Sequence, residues 1–382
     1  MLPCKKGLSL FICQLQGAAQ NLVIMMKSFF IGKLEVKLPI VQGGMGVGVS
    51  LSGLAAAVAN EGGIGVISCA GMGLLYRQTP DNYPLNCICG LREEIRKAKK
   101  MTKGIIGVNI MVALSNFADM VNTSIEEKAD IIFSGAGLPL NLPSFLKKDS
   151  TTLLVPIVSS ARAAKIICEK WEATYNYLPD AVVVEGPKAG GHLGFKKNQI
   201  FDENYSLEKI VPEVVKITSS YRDRKNIPVI AGGGLTTGED IMRIMKLGAD
   251  GVQMASIFVP TIECDAAGEF KEAYIKCKKN DIIIIDSPVG MPGRAIESEF
   301  TDKIDAGLTK PKGCGYHCIK TCDYIHSPYC IIKALYNSVK GKLSDGYVFV
   351  GANAYMADKI RSVHQVISIL KQEYALCEIK QK

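Results

Sequence analysis

The sequence is constrained most by a regular alternation of short apolar runs with longer helical patterns, which begins near residue 40. Eight runs rich in Val and Ile typically end at or near Gly, Ser or Asn, and they are Ile40–Met45, Gly65–Ser68, Ile105–Met111, Ile131–Gly135, Leu154–Ser159, Ala181–Glu185, Pro228–Gly232 and Gly251–Phe258. The helical patterns between them are Ser52–Glu61, Leu91–Met101, Phe117–Ala129, Ala161–Trp171, Leu207–Tyr221 and Gly238–Leu247. Such an alternation predicts repeated βαβ units.

The runs are apolar on both faces, which is typical of parallel strands that are covered by helices on each side. Eight such units over roughly 240 residues match the usual size of a (β/α)₈ barrel. A doubly wound open sheet is the alternative, and it would require a reversal of strand order that the pattern does not reveal. We therefore predict an α/β fold, a TIM barrel with a C-terminal cap segment that contains cysteines.

The same pattern divides the chain into three regions. Residues 1–33 are expected to be an unstructured N-terminal extension, residues 34–280 the barrel, and residues 281–382 a cap segment that ends in a helix from about Asp358. Glu263–Lys276 reads as the eighth helix of the barrel.

Composition excludes several classes of protein. The 45 Lys and Arg residues exceed the 37 Asp and Glu residues by only 8, and no basic stripe is interleaved with aromatic residues, so nucleic-acid binding is not supported. No apolar run reaches the roughly eighteen residues of a membrane span, and we expect a cytoplasmic protein. The 13 cysteines are odd in number and scattered, which predicts mostly free thiols rather than a disulfide framework.

The strongest candidate for chemistry is the segment VVVEGPKAGGHLGF, where an apolar run stops and three glycines surround His192. Glycines let the backbone approach a ligand closely, and turns at strand ends present N–H groups to anions. We expect His192 to lie in a mobile strand-to-helix loop on the catalytic face of the barrel, with an ordinary imidazole pKa near 6.5. The alternative is a solvated loop histidine without a function.

Further glycine-rich turns predict a phosphate site and a flat-ring site. PVIAGGGLTTG ends the seventh run and GADGVQMAS the eighth, and the loops after strands 7 and 8 of TIM barrels commonly bind phosphate. Each of these motifs alone is also compatible with a tight packing turn. In IVQGGMG, after the first run, the backbone of 43–45 can lie along a flat ring. Asn109, at the end of the third run, can bond to a pyrimidine-like edge.

Four of these motifs, PIVQGGMG, EGPKAGGHLG, PVIAGGG and GADGVQM, resemble the nitronate monooxygenase (2-nitropropane dioxygenase) family and its relative enoyl-acyl-carrier-protein reductase II. The resemblance covers most of the chain from about residue 34, and it implies an FMN-dependent TIM barrel. It implies that His192 is the catalytic residue. The cofactor-binding residues that it implies are Gly43, Gly44, Met45 and Asn109 at the flavin ring, Gly191, Gly232, Gly234, Ala255 and Ser256 at the ribityl phosphate, and Gln253 in the same motifs. Many relatives carry Arg where Ile257 stands here.

The resemblance leaves three functions open. In the first, FMN takes electrons from an alkyl nitronate and passes them to dioxygen, which yields a carbonyl compound and nitrite, and His192 removes the proton α to the nitro group of a neutral nitroalkane. In the second, NAD(P)H reduces FMN for hydride transfer to an enoyl thioester on acyl carrier protein, with Lys188 or Arg294 at a carrier or cofactor phosphate. The third is a non-catalytic flavin- or metal-binding accessory protein.

A cysteine cluster near the C-terminus stands apart from these motifs. CGYHCIKTCDYIHSPYC places Cys314, Cys318, Cys322 and Cys330 within one short segment. Four thiolates can bind Zn²⁺ or an iron–sulfur cluster, although this spacing matches no standard pattern for either. Reduced buried thiols and a disulfide are the alternatives.

Overall fold

The computed structural model describes residues 26–80 and 82–380, and its central element is the predicted barrel. Its strands, in chain order, are β1 (Phe29–Ile31), β2 (Leu34–Val36), β3 (Ile40–Gln42), β4 (Ile64–Ser68), β5 (Ile105–Met111), β6 (Ile131–Gly135), β7 (Leu153–Val158), β8 (Val182–Glu185), β9 (Gly191–His192), β10 (Val229–Gly232), β11 (Gly251–Met254), β12 (Ile282–Asp286) and β13 (Pro292–Ile296). Eight parallel strands close in the order β3–β4–β5–β6–β7–β8–β10–β11 and back to β3. Each predicted run overlaps one barrel strand, and the sheet is closed, so the open-sheet alternative is wrong.

Burial on both faces explains why these runs form barrel strands. Val41, Val66, Phe133 and Val183 pack together inside the barrel, while the neighbouring residues of each strand face the surrounding helices. Apolar area removed from water on both sides of a strand contributes about 25 cal/mol per Å² to stability, which favours Val and Ile at nearly every position.

The antiparallel hairpin of β1 and β2 closes the amino-terminal end of the barrel. Phe29, Ile31 and Val36 join the interior cluster, and Phe29 packs beside Gly251 at the start of β11. Part of the segment that we expected to be an unstructured extension, residues 1–33, is therefore an ordered plug, because three apolar side chains cover the open end of the core. The expectation for residues 1–25 lies outside the described residues.

The helices of the described residues alternate with the barrel strands as predicted. They are α1 (Ser52–Asn60), α2 (Met72–Leu75), α3 (Tyr83–Met101), α4 (Phe117–Glu126), α5 (Ala161–Tyr175), α6 (Leu207–Ser219), α7 (Gly238–Lys246), α8 (Gly268–Lys276), α9 (Glu299–Asp305), α10 (Ile331–Val339) and α11 (Val363–Ile379). A 3₁₀ turn, Leu142–Phe145, replaces a helix after β6. No helix in this part of the chain is long and apolar enough to cross a membrane.

The ring of helices is completed by α11 rather than by the segment that follows the last barrel strand. Helix α11 packs between α7 and α1, with Ile367 and Leu370 buried in the main core. Helix α8 lies instead against the C-terminal segment, where the Tyr274 hydroxyl donates to the Phe349 carbonyl at 2.6 Å. The assignment of Glu263–Lys276 to the eighth barrel position is therefore wrong, because the longer helix covers that face.

A small antiparallel sheet lies over the mouth of the barrel. Strand β13 pairs with β12 on one side and with β9 on the other, and the last pair joins Gly293 to His192 and Arg294 to Gly191. The residues after β8 are therefore held by hydrogen bonds to the cap segment.

We predict that Gly238→Ala destabilises the protein, because an added Cβ would lie 2.3 Å from the Tyr374 backbone nitrogen and 2.5 Å from the Leu370 carbonyl oxygen. Overpacking of this kind costs roughly 1–3 kcal/mol. Gly268→Ala, at the start of α8, is the matched control, since no atom lies within 4 Å of its added Cβ. Urea denaturation should show a loss for the first variant and none for the second. Equal stability of the two variants would contradict the packing of α11 on α7.

Candidate active site

The cavity at the carboxyl ends of the barrel strands brings the predicted site residues together. It has a volume of about 460 Å³. The predicted residues that line it are Gly43, Gly44, Met45, Asn109, Gly191, His192, Gly234, Gln253, Ala255 and Ser256. Gly232 is the exception, because it lies buried inside β10 against Gln253 and does not line the cavity.

The turn after β3 forms one wall of the cavity through close backbone packing. An added Cβ on Gly44 would lie 2.3 Å from the Asn109 Cβ, so only glycine permits this approach. The Gly43 N–H donates to the Met254 carbonyl at 2.9 Å, and the Met45 N–H donates to the Ser50 hydroxyl at 2.9 Å. These bonds fix the backbone of the turn beside the Asn109 side chain.

Three polar side chains in this cavity have no hydrogen-bond partner among the described residues. They are Asn109 on β5, Glu185 at the end of β8 and Gln253 on β11. These side chains are partly buried and border the cavity, so their polar atoms are free to bond to a ligand that has several polar atoms of its own. A flavin fits this requirement, because its ring has donors and acceptors along one edge and its ribityl chain carries hydroxyl groups.

The end of the cavity where the sequence predicted a phosphate site is built from the turn after β10, the turn after β11 and the cap segment. Gly233 and Gly234 adopt φ values of +116° and +77°, which favour glycine, and both residues line the cavity. Ser256 begins a 3₁₀ turn and accepts from the Gly351 N–H at 3.0 Å, while the Asn353 side chain donates to the Gly234 carbonyl at 2.7 Å. The predicted phosphate site is therefore closed by residues 351–353, which carry no signal beyond Gly and Asn in the sequence.

His192 lies on β9 and is held more firmly than the sequence indicated. Its Nε2 lies 2.7 Å from the Ser287 hydroxyl, and its ring packs edge-on against Phe349 at 5.1 Å. Burial disfavours the charged imidazolium and lowers the pKa of His192 to about 4. The expectations of a mobile loop and of a pKa near 6.5 are both wrong, because pairing with β13 encloses the ring.

Glu185 is a candidate functional residue that the motifs did not single out. It ends β8, lines the cavity and has no cationic partner in the part of the chain that the structure describes. Burial raises the pKa of this carboxyl group to about 7. Its only signal in the sequence is a charged residue that directly follows the apolar run VVV.

Arg294 binds the backbone of the segment that precedes His192 and does not line the cavity. Its guanidinium is buried and donates to the Pro187 carbonyl at 2.8 Å and to the Ala189 carbonyl, and burial lowers its pKa to about 10. The expectation that Arg294 meets a phosphate is therefore wrong. Lys188 between these two residues remains exposed.

The predicted metal ligands lie outside the barrel cavity. Cys318 is buried, Cys314, Cys322 and Cys330 are partly buried, and all of the cysteines in the described ranges are free thiols. No three His, Cys, Asp or Glu side chains in residues 26–80 and 82–380 form a group that could hold a metal ion. The expectation of a Zn²⁺ site is therefore not met by this geometry.

We predict that Gly234→Ala weakens FMN binding on the order of tenfold, equivalent to about 1.4 kcal/mol. At φ +77° an added Cβ would lie 2.7 Å from the Lys188 Cβ, which would displace the phosphate turn. Gly290→Ala is the matched control, because Gly290 has φ +81° with open space around it. Both variants carry similar backbone strain. Flavin fluorescence titration should separate them, and equal FMN affinities would contradict the assignment of this turn.

We predict that the imidazole of His192 titrates near pH 4 and stays neutral from pH 5 to pH 8, because burial penalises its charged form. Nuclear magnetic resonance of the histidine Cε1–H signals during a pH titration measures this value. The resonance that is absent in His192→Asn provides the assignment. A midpoint near 6.5 would show that the ring is solvated and would contradict the enclosed geometry.

Comparison with known proteins identifies the family of this chain. A family model described as nitronate monooxygenase matches residues 27–373. A probable nitronate monooxygenase of Staphylococcus saprophyticus is 28% identical over 298 residues, which cover 72% of this chain and 79% of that protein. A Mycobacterium tuberculosis protein named (3aS,4S,5R,7aS)-5-hydroxy-7a-methyl-1-oxo-octahydro-1H-indene-4-carboxyl-CoA dehydrogenase is 27% identical over 274 residues, which cover 72% of this chain and 67% of that protein.

Two solved structures share the architecture. FabK from Thermotoga maritima superimposes with a TM-score of 0.68 at 27% identity, covering 90% of this chain and 94% of that chain. Nitroalkane oxidase from Streptomyces ansochromogenes has a TM-score of 0.68 at 20% identity, covering 90% and 98% of the two chains, and it supports the fold alone. Since the family model spans the barrel, the cap and most of α11, the chain belongs to the nitronate monooxygenase family and is a flavin-dependent oxidoreductase.

Proposed function

We propose that this enzyme uses FMN to oxidise alkyl nitronates with dioxygen, and that it releases a carbonyl compound and nitrite. The observation that carries this proposal is the enclosed, neutral imidazole of His192 in a cavity whose turns and unpartnered polar groups suit a flavin. Membership of the nitronate monooxygenase family supports the same reaction.

The residues that would hold FMN follow from the walls of the cavity. The backbone of Gly44 and Met45 and the side chains of Asn109 and Gln253 would contact the ring, while Gly234, Ser256 and the neighbouring turns would hold the phosphate. Bound FMN supplies electron transfer from the substrate to dioxygen. The protein supplies the orientation of the substrate and the exclusion of water.

His192 suits a substrate that has already lost its proton. An imidazole with a pKa near 4 is a weak base at neutral pH, so removal of a proton from a neutral nitroalkane would be slow. A neutral imidazole can nevertheless donate one N–H to an anionic nitronate oxygen. If the Ser287 hydroxyl donates to Nε2, the ring proton is on Nδ1 and is available to the substrate. We therefore propose the nitronate anion rather than the nitroalkane as substrate.

The apolar side chains of the cavity favour a particular kind of substituent on the substrate. Ala136, Leu138, Ile157 and Met291 line this part of the cavity. These side chains offer no hydrogen bonds, so they favour an alkyl group over a polar one.

A second candidate function is the reduction of an enoyl thioester with NAD(P)H through FMN. The similarity to FabK over 90% of the chain favours it, and acyl carrier protein would then be a partner. Lys188, exposed at the rim, is the cation available to a carrier or cofactor phosphate.

Anaerobic stopped-flow absorbance of the FMN-loaded enzyme tests these alternatives. The enzyme is mixed separately with propyl-2-nitronate, with neutral 2-nitropropane and with NADH, and bleaching of the flavin band is followed. We expect fast bleaching by the nitronate, much slower bleaching by the nitroalkane, and none by NADH. His192→Asn should slow the reaction with the nitronate while leaving the bound FMN unchanged.

The opposite pattern would overturn the proposed reaction. Bleaching by NADH alone, with the flavin band restored by a crotonyl thioester, would establish the reductase function instead. Equal rates with nitronate and nitroalkane would contradict the role given to the weakly basic His192.

A further inference from the structure

Four cysteines outside the barrel cavity converge in a segment without regular structure. Residues 306–330 connect α9 to α10 and contain no helix or strand. Cys314, Cys318 and Cys322 lie within this segment, and Cys330 directly precedes α10. A bound metal group is one way in which a segment without helix or strand is stabilised.

The segment is fixed to the loop that follows barrel strand β5. The Ser115 N–H donates to the Cys318 carbonyl at 3.1 Å, and the Lys320 N–H donates to the Ala113 carbonyl at 2.9 Å. Leu114 and Ile319 form an antiparallel bridge between the same two segments. Cys318 is therefore held in place by the barrel, and the other three cysteines are grouped around it.

The thiols lie close enough to influence one another. Each of the four interacts electrostatically with the other three. One buried and three partly buried thiols in one segment form a set of ligands of the kind that iron and zinc groups use.

The spacing of the thiols favours a cluster over a single ion. A Zn²⁺ ion binds each thiolate at about 2.3 Å, which brings the sulfurs within about 4 Å of one another. The four thiols do not form such a compact group, since no set of three metal-binding side chains within the described ranges could hold an ion. An iron–sulfur cluster is also held by four thiolates, but they bind different iron atoms and therefore stand farther apart.

We propose that Cys314, Cys318, Cys322 and Cys330 bind an iron–sulfur cluster. Cys314 and Cys330 face a cavity of about 970 Å³ beside the segment. Four cations without an ion-pair partner among the described residues line this cavity, against the single carboxylate of Asp345, and they are Arg77, Lys310, Lys312 and Lys333. Positive charge around the site offsets the negative charge of a cluster with four thiolate ligands.

The site adjoins the wall of the barrel cavity. The Tyr316 ring packs on the Tyr83 ring at 5.4 Å, and Tyr83 interacts with both Cys318 and Cys69. Cys69 lies between Ser68 and Ala70, which both line the barrel cavity. Cluster binding does not depend on the reaction proposed for that cavity, so the two can be tested separately.

Iron and sulfide analysis of the full chain, purified without oxygen, tests the proposal. We expect iron and acid-labile sulfide in equal amounts, about four of each per chain for a [4Fe–4S] cluster. After reduction with dithionite, electron paramagnetic resonance should show a signal that is visible only near liquid-helium temperature, unlike a flavin radical. Cys318→Ser and Cys322→Ser should each lose the iron, the sulfide and the signal.

The matched control is Cys168→Ser, which alters a buried cysteine of α5 outside the segment and should keep all three properties. The FMN content of every variant shows whether the barrel is folded. One zinc per chain without sulfide would overturn the cluster assignment. So would the absence of metal after anaerobic incubation with ferrous iron and sulfide, or an equal loss of iron in the control.

Discussion

The structure depends on one constraint, the closure of eight parallel strands into a ring. Parallel strands that close on themselves must all end on the same rim, so every turn from strand to helix opens there. The turns after β3, β8, β10 and β11 are far apart in the chain but surround a single cavity. The hairpin of β1 and β2 covers the opposite end, which leaves this rim as the mouth of the barrel.

The ionisable groups with shifted pKa values that concern the cavity also lie at or next to this rim. Burial raises the pKa of Glu185 to about 7 and lowers the pKa of His192 to about 4, and Arg294 is buried without a carboxylate partner among residues 26–80 and 82–380. All three shifts have the same cause, the removal of a charge from water. Burying an ionisable group costs stability, and perturbed pKa values are common at functional sites because the chemistry there requires them. The cap segment increases this burial, because β13 and Phe349 enclose His192.

The sequence was sufficient to predict the barrel and most of its cavity. Apolar runs that are buried on both faces identify strands from local composition alone, and the Gly-rich turns identify which strand ends approach a ligand. The pairing of His192 with β13 was not predictable, since it joins residues about 100 positions apart. The same limit applies to α11, whose amphipathic pattern does not show that it packs between α7 and α1. Glu185 was missed because a carboxylate after a strand is ordinary until its burial is known.

The most direct test of this account is the identity and amount of the flavin bound to the full chain. The purified protein is denatured by heat, and the released flavin is identified by chromatography and quantified against the protein. The account predicts one FMN per chain, and it predicts that the flavin-free protein rebinds FMN in the same ratio. Absence of flavin after incubation with FMN, or release of a different flavin, would contradict the assignment of the barrel cavity as an FMN site.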